Sequence, residues 1–131
     1  MAIRKSGPAQ PTEVELQILR ILWELGPSPV RAIHARLNAD KGTNYSTTVK
    51  MLSVMLEKEL VRRDESASPH IYRAALSRAN AGRRMLSDLI DRVYDGAAMS
   101  LVLEALGSTT ATKEERDEAR RLLDRMEKQE P

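Results

Sequence analysis

Between Asn44 and Asp64 the apolar spacing changes from that of a helix to that of a strand with no linker between them. Thr48, Leu52 and Met55 recur at i, i+4 and i+7, with Val49 and Leu56 beside them, which predicts one buried helical line. Leu60 to Asp64 then reads as extended chain. Ser46, Thr47 and Lys50 fall on the opposite side of the same helix, near its start. Such a segment needs helices to cover its apolar line and a second strand to pair with its tail. That requirement excludes a simple bundle and a pure β-fold together.

The flanking sequence supplies both. Residues 1–11 carry prolines and no periodicity, so a mobile arm is expected there. Thr12 and Glu15 form a capping box that opens a helix with Val14, Ile18, Ile21, Leu22 and Leu25 on its buried face. Gly26-Pro27 ends it. Ser28 is expected as the N-cap of a short second helix, with Pro29 at its first position and Val30, Ile33 and Leu37 inward. Residues 38–43 read as a turn-rich connector. After the strand, Glu65 to Pro69 has turn composition, and His70 to Ala74 returns as a second strand. The order α-α-α-β-β is that of a winged helix-turn-helix domain, with the hairpin as the wing.

Ser77 then caps a long helix carrying Met85, Leu86, Leu89, Ile90 and Val93, broken at Asp95-Gly96. Leu101, Val102, Leu103 and Leu106 form a brief helix closed by Gly107. Thr112 and Glu115 make a second capping box, ahead of a last helix whose apolar groups are Ala119, Leu122, Leu123 and Met126. On that helix Asp117 with Arg121, and Asp124 with Lys128, are spaced as i,i+4 pairs. These stripes are too thin for a monomeric domain, so burial against a second copy in a symmetric dimer is expected. The predicted organisation is an arm (1–11), a winged-helix DNA-binding domain (12–76) and a three-helix dimerisation domain (77–131). The fold class is mainly α with one small β-hairpin.

Composition narrows the function. The chain has one Trp, three Tyr and no Phe, too few aromatics for modules that stack single-stranded bases. The absence of Cys excludes disulfide scaffolds, thiolate zinc sites and cysteine nucleophiles. No apolar run reaches the ~18 residues of a membrane span and no signal peptide opens the chain, so a cytoplasmic protein is expected. Residues 1–75 hold 11 Lys and Arg against 8 Asp and Glu, while residues 76–131 hold 10 against 11. A mildly basic first half suits contact with phosphates. His34 and His70 are expected on different elements, as a partly buried helix residue and a strand-edge residue. No HExxH, GxSxG or Gly-rich phosphate loop is present. The sequence therefore predicts no enzyme, no cofactor and no metal site.

Taken together, several segments resemble the penicillinase and methicillin-resistance repressor family of winged-helix regulators. They are Pro11 to Pro27, Val30 to His34, Tyr45 to Leu52, Glu57-Lys58, Leu60 to Arg63, and His70 to Tyr72. Leu89 to Gly96 and Ser100 to Val102 match the family's dimerisation region. The resemblance implies a homodimer that binds a palindromic double-stranded operator and represses adjacent genes, those of β-lactam resistance in the antibiotic-sensing branch. A membrane sensor protease is the partner implied there. The residues it points to for DNA are Ser46, Thr47 and Lys50, with Arg62, Arg63, Ser66 and Ser68 in or beside the wing; Asn44, Tyr45 and, in the arm, Arg4 and Lys5 are expected to anchor phosphates as well. The apolar stripes give Met85, Leu86, Leu89, Ile90, Val93 and Leu101 as the expected dimerisation residues, with Leu122 and Met126 as a second candidate interface.

The chain departs from the family in three ways. Thr48 stands where an aliphatic residue is usual, and Glu59 stands where Gly is usual. Glu104-Ala105 occupies the place of the Asn-Phe bond that is cut in antibiotic-sensing members. The cysteine motif of the copper-responsive branch is absent as well. A rival reading is a winged-helix module for protein assembly without specific DNA binding. Lys50, Lys58, Arg62, Arg63 and Arg73 weigh against it, while Glu57, Glu59, Asp64 and Glu65 weigh for it.

Overall fold

A computed structural model describes residues 10–130, so Arg4, Lys5 and most of the predicted arm lie outside the described residues. The element order is α1 (Glu13–Leu25), β1 (Ser28–Pro29), α2 (Val30–Lys41), α3 (Tyr45–Glu57), β2 (Val61–Asp64), β3 (Ile71–Ala74), α4 (Arg78–Val93), α5 (Ala98–Ser108) and α6 (Lys113–Lys128). Six helices and a three-stranded antiparallel sheet of order β1-β3-β2 make a winged helix-turn-helix fold with a helical C-terminal part. The chain divides into two compact units, Met1–Leu86 and Ser87–Pro131, with the division inside α4.

The core of the first unit is Ile18, Leu19, Leu22, Ile33, Leu37, Leu52, Met55, Leu60, Val61 and Tyr72. Leu19 joins the α1 face that the spacing predicts, and Leu25 leaves it, being 43% exposed. Leu25 is the last residue of the helix, where the chain turns out through Gly26. Both capping boxes form, Thr12 with Glu15 on α1 and Thr112 with Glu115 on α6. Glu15 does more than cap. Its carboxylate is buried, accepts from the Thr12 amide at 3.0 Å, and takes both oxygens to Lys58 Nζ at 3.0 Å. One side chain thus joins the start of α1 to the end of α3. Burial alone raises the Glu15 carboxyl, but the Thr12 amide and the Lys58 ammonium outweigh it and hold it below its ordinary value. Lys58, counted from sequence among the free basic groups, is committed to this pair.

The expected N-cap role of Ser28 is not found. Ser28 and Pro29 pair with Tyr72 and Ile71 as a third strand, and the Ser28 hydroxyl donates to the Gly26 carbonyl at 2.8 Å. Pro29 becomes the N-cap of α2, without a side-chain bond. A two-residue strand leaves no alternation to read, and its pairing depends on β3, over forty residues away. Helix α2 also runs further than expected, through the predicted connector to Lys41. It stops only where Gly42 takes the left-handed conformation at φ +63°. Asn38 to Lys41 tolerate helix, and nothing before Gly42 forces an exit.

The junction after α3 shows how Glu59 is accommodated. The Glu59 amide donates to Leu56 O at 3.1 Å and the Leu60 amide to Met55 O at 2.9 Å. These two bonds make a Schellman motif, and Glu59 occupies its left-handed position at φ +63°. Leu60 and Met55, the apolar pair of the motif, are both buried. Glu59 therefore makes the turn that glycine makes, at the steric cost of a Cβ. Glu59→Gly is expected to stabilise the protein by about 1 kcal/mol, a rise of several degrees in Tm. A fall in Tm on calorimetry would show that the Glu59 side chain contributes more than its backbone costs.

At the base of the wing, Trp23 Nε1 donates to the Leu76 carbonyl at 3.0 Å, and the Arg78 guanidinium lies 5.4 Å over the indole ring. The Ser77 hydroxyl accepts from the Asn80 amide at 3.1 Å and starts α4. These contacts tie the beginning of α4 to α1 within the first unit.

The second unit is different in kind. Neither α5 nor α6 contains a buried residue. Gly107, the expected end of α5, lies inside it, and the helix ends at Ser108 with Thr109 as C-cap. On α6 the Asp117 carboxylate meets Lys113 and Arg120, and Arg121 meets Glu118, so the expected pairing of Asp117 with Arg121 is replaced by neighbours one turn either way.

Candidate nucleic-acid interface

Helix α3 sorts its residues by side. Thr48, Leu52 and Met55 are buried, while Asn44, Tyr45, Ser46, Thr47 and Lys50 are exposed. Asn44 is the N-cap, and its side chain makes no capping bond. A polar turn at a helix N-terminus, where amide groups point outward, is suited to phosphate oxygens and base edges.

Thr48 has no contact with solvent, and its hydroxyl lies 2.9 Å from His34 Nδ1 on α2. It also lies 3.4 Å from the Asn44 carbonyl, one turn back. His34 in turn meets the Tyr45 ring edge-on at 5.3 Å between centroids. A hydroxyl buried without a partner costs about 1–3 kcal/mol, and His34 removes that cost. The Thr48 departure from the aliphatic pattern thus comes with its own compensation. The same imidazole orients Tyr45 at the head of α3. Sequence spacing alone could not pair His34 with Thr48, because they sit on different helices.

The wing carries its cations on two faces. In the hairpin register Arg62 lies opposite Arg73, and Arg63 lies opposite Tyr72. Successive strand residues point to opposite sides, so the adjacent predicted residues Arg62 and Arg63 leave the strand in opposite directions. Arg63 Nε donates to Glu65 Oε2 at 2.9 Å, and Arg63 Nη1 lies 3.5 Å from the Tyr72 hydroxyl. The Tyr72 hydroxyl and the Glu65 carboxylate both favour the charged guanidinium, raising its pKa. Ser66 is also engaged. Its amide and hydroxyl donate to Asp64 Oδ1 at 3.0 and 2.6 Å, which lowers the Asp64 carboxyl. Arg62 and Arg73 are exposed and directly opposed, and Arg73 also acts on the Asp64 carboxylate, helping to lower it. Like charges face to face in a ladder are unfavourable.

An open groove of about 680 Å³ links α3 to the wing. Tyr45, Val49 and Ser53 line its α3 side, and Arg63, Ser68, Pro69, His70 and Tyr72 line the wing side. Arg31, at the start of α2, completes it. The fold thus brings Tyr45, Arg63 and Ser68 to one groove. Asn44, Ser46, Thr47, Lys50, Arg62 and Ser66 do not line it. Arg31, Ser53 and His70 were not among the expected site residues. Arg31 belongs to the Val30–His34 motif, the one signal that could have found it.

Of the residues expected at a dimer interface, Met85 and Leu86 belong to the first unit. Leu89, Ile90, Val93, Leu101, Leu122 and Met126 belong to the second. Leu86, Leu89, Val93, Leu122 and Met126 are between 44% and 61% exposed, and Met85, Ile90 and Leu101 are partly buried. Glu104 and Ala105 fall inside α5 and are both exposed.

Among the described residues no group of His, Asp and Glu could hold a metal ion, and no helix is long and apolar enough to cross a membrane. Among solved structures the chain is similar to AbfR of Staphylococcus epidermidis. The two are 18% identical, over 89% of this chain and 69% of that one, with a TM-score of 0.45. No curated protein sequence matches it. The penicillinase repressor family model matches residues 11–125, which takes in the capped first helix, α3, the wing and most of α6. With that span matched, the chain belongs to the penicillinase repressor family, whose members are regulators rather than enzymes.

Proposed function

We propose that the protein is a transcriptional repressor that binds a palindromic operator as a homodimer, each copy reading one half-site. The observation that carries this reading is α3 itself, whose buried line leaves Ser46, Thr47 and Lys50 outward at its N-terminal end. In this reading those three approach base edges, while Asn44, Tyr45, Arg63, Ser68 and the groove residue Arg31 meet the backbone. The first unit acts as the DNA-binding domain, with Arg4 and Lys5 as further phosphate contacts. The second acts as the dimerisation domain, because none of the apolar side chains on α5 and α6 is fully buried within one chain. A dimer sets two recognition helices about one or two turns of duplex apart. The family makes genes of β-lactam resistance the first targets to examine, and a sensor protease the first upstream partner.

Fluorescence anisotropy with the protein's own upstream DNA tests the reading. Affinity is expected to fall steeply with salt, as phosphate contacts release counterions, and to exceed affinity for random duplex by about 10³-fold or more. Lys50→Ala is expected to cost about 1–3 kcal/mol on the operator and less on random DNA. An equal loss on both would reassign Lys50 to the phosphate backbone.

One observation favours a second reading, an assembly module without specific DNA binding. Arg63 is already paired with Glu65, and Asp64 keeps its charge beside them, so the wing tip is close to neutral. Salt-independent binding with no preference for the upstream DNA would select that reading.

A further inference from the structure

A second cleft, of about 450 Å³, lies wholly within the first unit, between the end of α3, β2 and the first part of α4. It shares only Arg63 with the groove described above. Its floor is apolar, formed by Leu56, Val61 and Leu76, which are part of the core or packed against it. Its rim is charged, with Arg62 and Arg84 against Glu59. Arg62 and Arg84 are exposed and meet no acidic partner among the described residues. Arg63 is neutralised by Glu65. The rim therefore has one cation in excess.

We propose that this cleft binds an amphiphilic organic monoanion, an apolar chain or ring bearing a single carboxylate. The volume lies within the range of ligand sites, about 300–1,000 Å³, which typically pair an apolar body with a few convergent polar groups. The carboxylate meets Arg84 and Arg62, where a guanidinium fork matches two oxygens. The apolar body covers Leu56 and Leu76. Glu59 sets the charge limit. Its backbone is locked by the Schellman turn, so its carboxylate stands at the rim and repels a second negative charge. A carboxylate in the cleft also competes with Glu65 for Arg63, the residue common to the cleft and the DNA-side groove. Occupancy thereby lowers operator affinity, a consequence that rests on the operator-binding reading, whereas ligand binding itself does not.

Trp23 provides the readout. It is the only tryptophan, and its indole N–H donates to the carbonyl of the floor residue Leu76. Octanoate is expected to change Trp23 emission saturably, with the same constant by titration calorimetry. 1-Octanol and octylammonium at equal concentration are expected to leave it unchanged. Arg84→Gln, at an exposed position, is expected to weaken octanoate binding at least tenfold with its Tm unaltered. Glu59→Gln is expected to tighten it severalfold and to admit octyl phosphate. Octanol binding as well as octanoate, unchanged affinity in both Arg84→Gln and Arg62→Gln, or no heat and no emission change would each overturn the proposal. Octanoate is further expected to weaken operator binding in the wild type but not in Arg84→Gln. If ligand binding holds and that effect is missing, the coupling fails and the site stands.

Discussion

Leu89→Asp is expected to convert a dimer into monomers and to lower operator affinity by about 10²–10⁴-fold, the advantage that linked half-site binding confers. Leu89 is 44% exposed on α4, in a unit whose other two helices contain no fully buried residue in the single chain. In the proposed dimer, an apolar interface at this position would have to bury a carboxylate from each copy. Sedimentation velocity reads the mass, and anisotropy reads the DNA. The first unit has its own core, remote in composition from Leu89, so its fold and its affinity for random duplex should persist. An intact dimer on sedimentation would remove α4 from the interface and turn attention to Leu122 and Met126 on α6.

Glu15→Ala should be the most damaging single change on the surface-proximal part of the first unit, with a loss of about 2–4 kcal/mol in denaturant unfolding. It removes the carboxylate half of the α1 capping box, leaving the Thr12 amide without its acceptor, and leaves the Lys58 ammonium, 30% exposed, without its carboxylate. Glu15→Gln keeps an acceptor for the Thr12 amide and discards only the charge, so it is expected to cost less than half as much. The two variants also differ from the wild type in acid. The Glu15 carboxyl is held below its ordinary value of 4.5 in the fold. Its contribution is therefore complete above that value and is lost as pH falls through the lower folded one. Stability curves of wild type and Glu15→Gln are expected to converge as the pH is lowered beneath 4.5. Curves that stay parallel would mean that the carboxylate's charge does not stabilise the fold.

Much of this architecture was legible because it rests on local chemistry. Thr12-Glu15 and Thr112-Glu115 are capping boxes whose partners are three residues apart, and both form as spaced. The buried line Thr48-Leu52-Met55 follows from a period of 3.6, which tertiary packing can use but not move. The errors lie where a distant partner decides. Ser28 reads as a helix cap until β3 arrives to pair with it. Lys58 reads as a free cation until Glu15 takes it. Asp117 had cations available on both sides, and sequence spacing could not choose among them.

The candidate site divides in the same way. Which face of α3 is polar was determined by the sequence, because a helix with one apolar line has only one side left for Ser46, Thr47 and Lys50. The sequence also determined family membership, through many short matches in fixed order. The tertiary structure alone decided that His34 satisfies Thr48, since a buried hydroxyl is completed by whichever polar partner packs beside it. It alone decided that Arg62 stands opposite Arg73 and Arg63 opposite Tyr72, since hairpin register fixes which residue each strand position meets. It decided, too, that Glu59 could stand in a glycine's place, since a left-handed residue is tolerated where the Leu60–Met55 contact and two backbone bonds hold it there.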